Sequence, residues 1–161
     1  MIILISGSIN SGKSTVAKII QKELKNTALV EIDALRAMID WMPIDKAVPI
    51  NLKNAVAVIK NFVEAGIHVI VPYPLSQKNY DYVQNELSKL GTDIFVFTLA
   101  PRLEKALNNR GDRKLEKSEI ERIKYHYNIG IASPTFGTIL DNSDETPQET
   151  ARKILKNIKI N

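Results

Sequence analysis

The chain has 161 residues, of which 44% are hydrophobic and 25% charged, a balance typical of a single globular domain. It contains no cysteine, so disulfides and thiolate chemistry are excluded, and no apolar run approaches the ~20 residues of a membrane span. We therefore expect a cytoplasmic protein without a membrane partner. The net charge of +4 comes mostly from lysine and indicates a solvated surface rather than a dedicated nucleic-acid surface.

Short β-rich runs alternate with longer helical patterns, which indicates a parallel sheet covered by helices. The predicted strands are residues 2–6, 28–32, 67–71, 93–99 and 137–141. The predicted helices begin near Gly12, cover 52–65, 77–90 and 103–109, open at the capping pattern Ser118-x-x-Glu121, and begin again at Pro147. These elements fill the chain, so we expect one α/β domain over residues 1–161, with ligands at the carboxyl ends of the strands.

The stretch GSINSGKST, residues 7–15, directly follows the first strand and fits the phosphate-binding pattern G-x-x-x-x-G-K-S/T. Gly7 and Gly12 permit backbone angles that let successive N–H groups converge on an anion, and the following helix adds its positive dipole end. Lys13 would reach the β- and γ-phosphates as a catalytic group, and the Ser14 hydroxyl would ligate Mg²⁺. The predicted nucleotide contacts in this loop are Gly7, Asn10, Ser11, Gly12, Lys13, Ser14 and Thr15.

A second group of polar residues follows the second strand, in the stretch VEIDALR at residues 30–36. If the strand continues through Glu31 and Asp33, both side chains project to the same face. Asp33 would then serve as catalytic base or orient an acceptor hydroxyl, and Glu31 or Asp33 would hold Mg²⁺. Arg36 would clamp an anionic acceptor. The alternative is that Asp33 caps a helix and Arg36 is exposed.

On these residues the sequence resembles the small P-loop kinases, including shikimate kinase, adenylylsulfate kinase, chloramphenicol phosphotransferase, polynucleotide 5′-kinase and the tunicamycin-resistance ATP-binding proteins. Asp33-x-x-Arg36 is similar to the base-and-arginine pair of polynucleotide kinases, and Glu31-x-Asp33 to the Asp-x-Asp of shikimate kinases. The stretches VIVPYPLS and ASPTFGTILDNSDETPQE resemble the tunicamycin-resistance group. The resemblance implies the P-loop NTPase fold with strand order 2-3-1-4-5, helices on both faces, and ATP with Mg²⁺ as cofactors.

The resemblance also implies a basic lid at residues 110–117, in the stretch RGDRKLEK. Arg110 would bind the nucleotide, and Arg113 would stabilise the transferred phosphoryl group when the lid closes. The alternative is a solvated charged loop. The resemblance further suggests that Asn142, in the loop after strand five, lies along the adenine; an ordinary turn into the last helix is the alternative.

The end of the third strand departs from many P-loop enzymes, because Val71-Pro72-Tyr73-Pro74 lacks the aspartate that organises Mg²⁺. Pro72 and Pro74 would shape an acceptor pocket with Tyr73; the alternative is a rigid strand end. The acceptor-binding segment is predicted at about residues 36–62, where Trp41 either forms an apolar wall or lies on the surface. Neither His68 nor His126 has a second ligand at metal spacing.

These features predict an ATP-dependent kinase that transfers the γ-phosphoryl group to a hydroxyl of a small molecule such as a metabolite, nucleoside or antibiotic. A guanine-nucleotide switch is disfavoured, because no N/T-K-x-D motif occurs. Two alternatives stay open: an ATP-binding resistance or sequestering protein without robust transfer, and a polynucleotide 5′-hydroxyl kinase. A nucleic-acid partner is not favoured, and a monomer or homodimer is expected.

Overall fold

The computed structural model describes residues 1–109 and 114–158. The strands are β1 Ile2–Gly7, β2 Thr27–Leu29, β3 His68–Pro72, β4 Ile94–Leu99 and β5 Thr138–Leu140. The α-helices are α1 Lys13–Glu23, α2 Ile32–Arg36, α3 Ile44–Glu64, α4 Gln77–Leu87, α5 Leu103–Ala106, α6 Lys117–Asn128 and α7 Pro147–Asn157, and a 3₁₀ turn Ser88–Leu90 follows α4.

The five strands form one sheet in the order β2-β3-β1-β4-β5, and every pair is parallel. The central strand β1 pairs with β3 on one side and β4 on the other, so that Ile2 lies beside Val69 and Ile94. All six residues of β1 are buried, as expected for a strand covered on both faces. The predicted fold class and strand order are therefore confirmed.

The side chains of β1 point alternately to the two faces of the sheet and contribute to both halves of the core. Ile2 and Leu4 pack into a cluster that includes residues of α3 and α4, whereas Ile3 and Ile5 pack into a cluster that includes residues of α1 and α7. Because successive strand side chains point to opposite faces, one apolar strand holds helices on both sides of the sheet. This arrangement fixes the carboxyl end of β1, from which the phosphate-binding loop leaves.

Strand two does not continue through Glu31 and Asp33, and its predicted end at Ile32 is wrong. The chain leaves β2 after Leu29, and Val30 makes one further hydrogen bond to the carbonyl of Ile70 at 2.9 Å. Glu31 is then the N-cap of α2, without a side-chain capping bond, and Asp33 lies in the first turn. The helix α2 forms because the residues that follow Glu31 favour a helix. Asp33 therefore neither extends the strand nor caps the helix.

The helix predicted at residues 52–65 begins earlier, because α3 starts at Ile44 and continues through Pro49. Proline lacks a backbone N–H and normally interrupts a helix, which made residues 44–50 look like a loop. Burial of Ala47 and Leu52 on the same helix offsets the missing hydrogen bond.

The predicted capping pattern Ser118-x-x-Glu121 is also displaced. The capping box at the start of α6 is formed by Glu116 and Glu119, each side chain bonding the backbone of the other residue. A glutamate at the cap position accepts the same hydrogen bond that a serine would, so the box forms two residues earlier in the chain. Within residues 1–109 and 114–158, no helix is both long and apolar enough to cross a membrane.

Candidate active site

The loop between β1 and α1 has the backbone shape of a phosphate-binding loop. Gly12 is the N-cap of α1 and has a φ of 95°, in the left-handed region. Gly7 has a φ of 135°, and a Cβ there would lie 2.3 Å from the carbonyl oxygen of Leu99. Only glycine fits at position 7, because both the backbone angle and the approach to β4 exclude a side chain.

Neighbouring segments hold this loop in place. Ser8 and Ser11 are fully buried, and the N–H of Ser11 donates to the carbonyl of Ser8 at 3.3 Å. The Asn10 amide donates to the carbonyl of Ala106 at 2.8 Å, and the buried Asn142 amide donates to the carbonyl of Ser11 at 3.0 Å. Because these bonds come from the segments after β4 and β5, the rest of the fold positions the loop.

The functional groups of the loop are directed toward an anion site at the start of α1. The Lys13 ammonium donates to the Ser8 carbonyl at 2.6 Å and so stays over the loop. Ser14 and Thr15 are exposed in the first turn of α1, where the backbone N–H groups lack helical partners. The buried Ser11 hydroxyl has no hydrogen-bond partner within the described residues. This donor set fits the phosphates of a nucleotide.

A cavity of about 840 Å³ adjoins the loop at the carboxyl end of β3. It brings the loop together with residues that the sequence assigned to the acceptor side. The predicted site residues that line it are Asn10, Gly12, Lys13, Ser14, Thr15, Asp33, Arg36, Tyr73 and Asn142. One cavity thus contains both the phosphate-binding groups and a carboxylate.

Other predicted site residues do not line this cavity. Glu31 lies instead beside Lys18 of α1, with Oε1 3.8 Å from the ammonium nitrogen. Trp41 is 79% exposed and forms no wall of the cavity. Arg110 and Arg113, the predicted lid arginines, lie outside the described residues.

Sequence reasoning missed two cavity residues on α6, Arg122 and His126. His126 is 6% exposed, and its Nδ1 lies 3.4 Å from the hydroxyl oxygen of Ser8. Burial, together with the nearby positive charges of Lys13 and Arg122, lowers the pKa of His126 to about 4. His126 is therefore neutral near pH 7. Its helical spacing from the buried Ile123 was the available sign that it faces inward.

Four groups converge at the acceptor end of the cavity. Burial raises the pKa of the Tyr73 hydroxyl, the negative charge of Asp33 raises it further, and the positive charges of Arg122 and Arg36 oppose the rise. Tyr73 therefore remains a protonated hydrogen-bond donor at neutral pH. The electrostatic influence of Asp33, Arg36 and Arg122 on one hydroxyl indicates that these groups surround a common space.

Asn51 is a further cavity residue that the sequence did not reveal. It lies on α3 at helical spacing from Ile44 and Val48, which also line the cavity, and it is 2% exposed. The predicted start of this helix at residue 52 leaves Asn51 outside it, whereas α3 begins at Ile44.

The residues present fit Mg²⁺ bound together with a nucleotide. Within the described parts of the chain, no group of three His, Asp or Glu side chains could hold a metal alone. The cavity does present the Ser14 hydroxyl and the Asp33 carboxylate. Mg²⁺ usually keeps several waters and binds through one or two protein oxygens plus substrate phosphates, which this set can supply.

The parallel sheet of order 2-3-1-4-5, with a glycine-rich loop joining β1 to α1, defines a protein of the P-loop NTPase fold. The chain belongs to the chloramphenicol phosphotransferase-like family, whose match covers residues 1–159. The resemblance to small P-loop kinases is thereby confirmed. No curated protein matches the sequence of this chain.

Solved structures share this fold over nearly the whole chain. The tunicamycin resistance protein of Deinococcus radiodurans is 19% identical, with 99% of this chain and 96% of that chain covered and a TM-score of 0.69. The APS kinase of Mycobacterium tuberculosis, solved in complex with AMPPNP and APS, is 20% identical over 96% and 95% of the two chains, with a TM-score of 0.70. A sugar kinase from Janibacter is 16% identical over 96% and 92%, with a TM-score of 0.71.

Proposed function

We propose that this protein is an ATP-dependent kinase that transfers the γ-phosphoryl group to a hydroxyl of a small-molecule acceptor. The observation that carries the proposal is the cavity shared by the phosphate-binding loop and Asp33. A nucleotide-binding protein needs only the loop. A carboxylate in the same cavity supports a second substrate whose hydroxyl must be oriented toward the γ-phosphate.

In the donor half of the cavity, the loop residues 7–15 and Asn142 bind ATP. The backbone N–H groups at the start of α1 bind the phosphates, and the Lys13 ammonium moves from the Ser8 carbonyl to the β- and γ-phosphates. Ser14 and Asp33 are the residues that would hold Mg²⁺, which supplies neutralisation of the phosphate charge. Asn142 fixes the carbonyl of Ser11 and lies beside the nucleotide.

In the acceptor half, α2, the end of β3 and the cavity face of α3 surround the acceptor. Asp33 orients the acceptor hydroxyl and accepts its proton as the oxygen attacks the γ-phosphorus; the bond between that phosphorus and the β,γ-bridging oxygen breaks, and ADP leaves. The protonated Tyr73 donates a hydrogen bond to the acceptor, and Arg36 contacts it from the same helix as Asp33. His126 stays neutral behind the loop and therefore adds no charge to the site.

Arg122 lines the same cavity as His126 and Tyr73. It affects the pKa of both His126, beside the loop, and Tyr73, at the acceptor end. A guanidinium in this position would stabilise the charge on the transferred phosphoryl group. Arg110 and Arg113 would add to this effect if residues 110–117 close as a lid.

The test is an ATP-consumption screen in which each phosphorylated product is identified by its mass. The panel contains chloramphenicol and tunicamycin, since the family description and one solved structure name them, together with nucleosides, sugars and a 5′-hydroxyl oligonucleotide. A small molecule gaining one phosphoryl group supports the proposal. Transfer only to the oligonucleotide would identify a polynucleotide kinase, and ATP binding without transfer across the panel would favour a sequestering protein.

A further inference from the structure

Asn51 combines deep burial with an unpaired polar atom. Its side-chain oxygen Oδ1 is buried and has no hydrogen-bond partner among residues 1–109 and 114–158. The residue is only 2% exposed, yet it lines the cavity rather than the interior of the core. Burying a polar group without a partner destabilises a protein, so such a group calls for an explanation.

Local packing does not require an amide at this position. Residue 51 follows Ile44 and Val48 along the cavity face of α3, and Leu52 and Ala55 of the same helix are buried in the core. A leucine would continue the apolar face at similar volume and would leave no polar atom unpaired. Asn51 is therefore placed where it reduces stability and where its side chain borders the cavity, which is the pattern expected of a binding residue.

The surroundings of Asn51 indicate the chemistry of the ligand. Ile44 and Val48 present an apolar surface on the same helix, and Tyr73 adds an aromatic ring to the cavity lining. An apolar ring can lie against these side chains, whereas a small, highly charged acceptor would gain little from them. The carboxamide oxygen can only accept a hydrogen bond, so the ligand must supply an N–H or O–H donor at that point.

We propose, on the basis of the kinase function above, that Asn51 determines acceptor specificity by accepting a hydrogen bond from the acceptor. The acceptor class is a hydroxyl compound with an apolar ring and a separate N–H or O–H donor. The ring lies on the face of Ile44 and Val48, the donor bonds Asn51 Oδ1, and the hydroxyl that becomes phosphorylated faces Asp33.

The matched variants are Asn51→Leu and Thr98→Val. The Thr98 hydroxyl is also buried without a partner in the described parts of the chain, but Thr98 lies in β4 and does not line the cavity. Each variant replaces an unpaired polar group with an apolar one of similar size, so both should keep or raise the Tm. A Tm for Asn51→Leu clearly below that of the wild type, with Thr98→Val unchanged, would mean that Asn51 is satisfied in the free protein and would overturn the proposal.

The specificity test uses pairs of acceptors that differ by one methyl group on a nitrogen, namely uridine with 3-methyluridine, and chloramphenicol with its N-methyl amide. The wild type and Thr98→Val should prefer the N–H member of a pair by about tenfold in kcat/KM, and Asn51→Leu should lose the preference while its KM for ATP stays unchanged. An equal preference in Asn51→Leu and the wild type would overturn the proposal.

The same pairs separate this inference from the kinase proposal. Binding is measured by calorimetry in the presence of the non-hydrolysable ATP analogue AMPPNP, so it does not depend on transfer. If no compound is phosphorylated, the kinase proposal fails. Tighter binding of the N–H member by the wild type but not by Asn51→Leu would still support the role of Asn51. Equal affinity for the N–H and N-methyl members in both proteins would refute it.

Discussion

The donor and acceptor halves of the cavity are built differently. In the donor half, Ser8 and Ser11 are fully buried, Asn142 is 2% exposed, and bonds from distant segments hold the loop. In the acceptor half, Asp33 and Arg36 are exposed on α2, a helix of only five residues. The donor half binds phosphate mainly with its backbone, whereas the acceptor half depends on side chains.

This difference has a physical reason and a consequence. Backbone N–H groups bind a phosphate only if the loop is held in one conformation, so the donor half must be part of the core. Side chains on a short exposed helix can change without disturbing the sheet. We therefore expect substitutions in the donor half to affect stability or all turnover, and substitutions in the acceptor half to affect mainly the second substrate.

Among substitutions outside α2, the largest expected effect is the loss of turnover in Lys13→Ala. Loss of the ammonium removes the cationic partner of the transferred phosphate, and turnover of ATP should fall by about 10²–10³-fold. The measurement is steady-state ADP release. Lys18→Ala is the matched control, because Lys18 lies on the same helix, pairs at the surface with Glu31 and does not line the cavity. Equal losses in the two variants would contradict a specific role for Lys13.

Gly7→Ala tests whether the donor half is continuous with the core. The added Cβ would lie 2.3 Å from the Leu99 carbonyl oxygen, so the free energy of unfolding should fall by about 3–4 kcal/mol in chemical denaturation. Gly91→Ala is the control, because Gly91 also has a positive φ but no atom within 4 Å of the added Cβ. It should cost only about 1 kcal/mol. Similar losses would mean that backbone strain alone, and not the contact with β4, restricts position 7.

The pH dependence of stability tests the burial of His126 behind the loop. The pKa of His126 is about 4 in the folded protein, below the ordinary histidine value of about 6.5, so the unfolded state binds the proton first as the pH falls. The contribution of His126 to the free energy of unfolding is fully present above pH 6.5. It should decrease by roughly 3 kcal/mol as the pH falls to 4. His126→Gln should flatten this part of the profile, whereas His68→Gln, which replaces a half-buried histidine, should leave most of it. An unchanged profile in His126→Gln would show that other groups cause the loss.

The smallest expected effect is at Trp41, in the acceptor segment. Because the side chain is 79% exposed and does not line the cavity, Trp41→Ala should change the free energy of unfolding by less than about 0.5 kcal/mol. It should leave the KM of the acceptor unchanged. A large rise in that KM would show that Trp41 closes over the acceptor, as an apolar wall would.

The donor half could be predicted from the sequence because its signal is local. Nine consecutive residues, GSINSGKST, contain the glycines, the lysine and the hydroxyls, and the apolar strand before them identifies β1. The order of strands followed from resemblance to known kinases. What the sequence could not give was the hydrogen bond from Asn142 to Ser11, which joins residues 131 positions apart.

The acceptor half was predicted less well because tertiary packing overrode local signals. Asp33 and Arg36 were predicted on the acceptor side, but strand two was expected to end at Ile32, where α2 in fact begins. Pro49 is a local signal against a helix, so the sequence did not indicate that α3 begins before residue 52. The position of Asn51 on that helix could therefore not be predicted. Arg122 and His126 line the cavity only because α6 packs near the loop. No local sequence pattern predicts how close α6 lies to the loop.

The central claim, that Asp33 joins a phosphate-binding loop to an acceptor site, is tested most directly by Asp33→Asn. The variant keeps the shape of the side chain and removes its basicity. ATP affinity, measured by calorimetry, should stay within about twofold, and phosphoryl transfer to the acceptor found in the screen should fall by about 10²–10⁴-fold in single-turnover experiments. Full transfer by Asp33→Asn at unchanged ATP affinity would contradict the account.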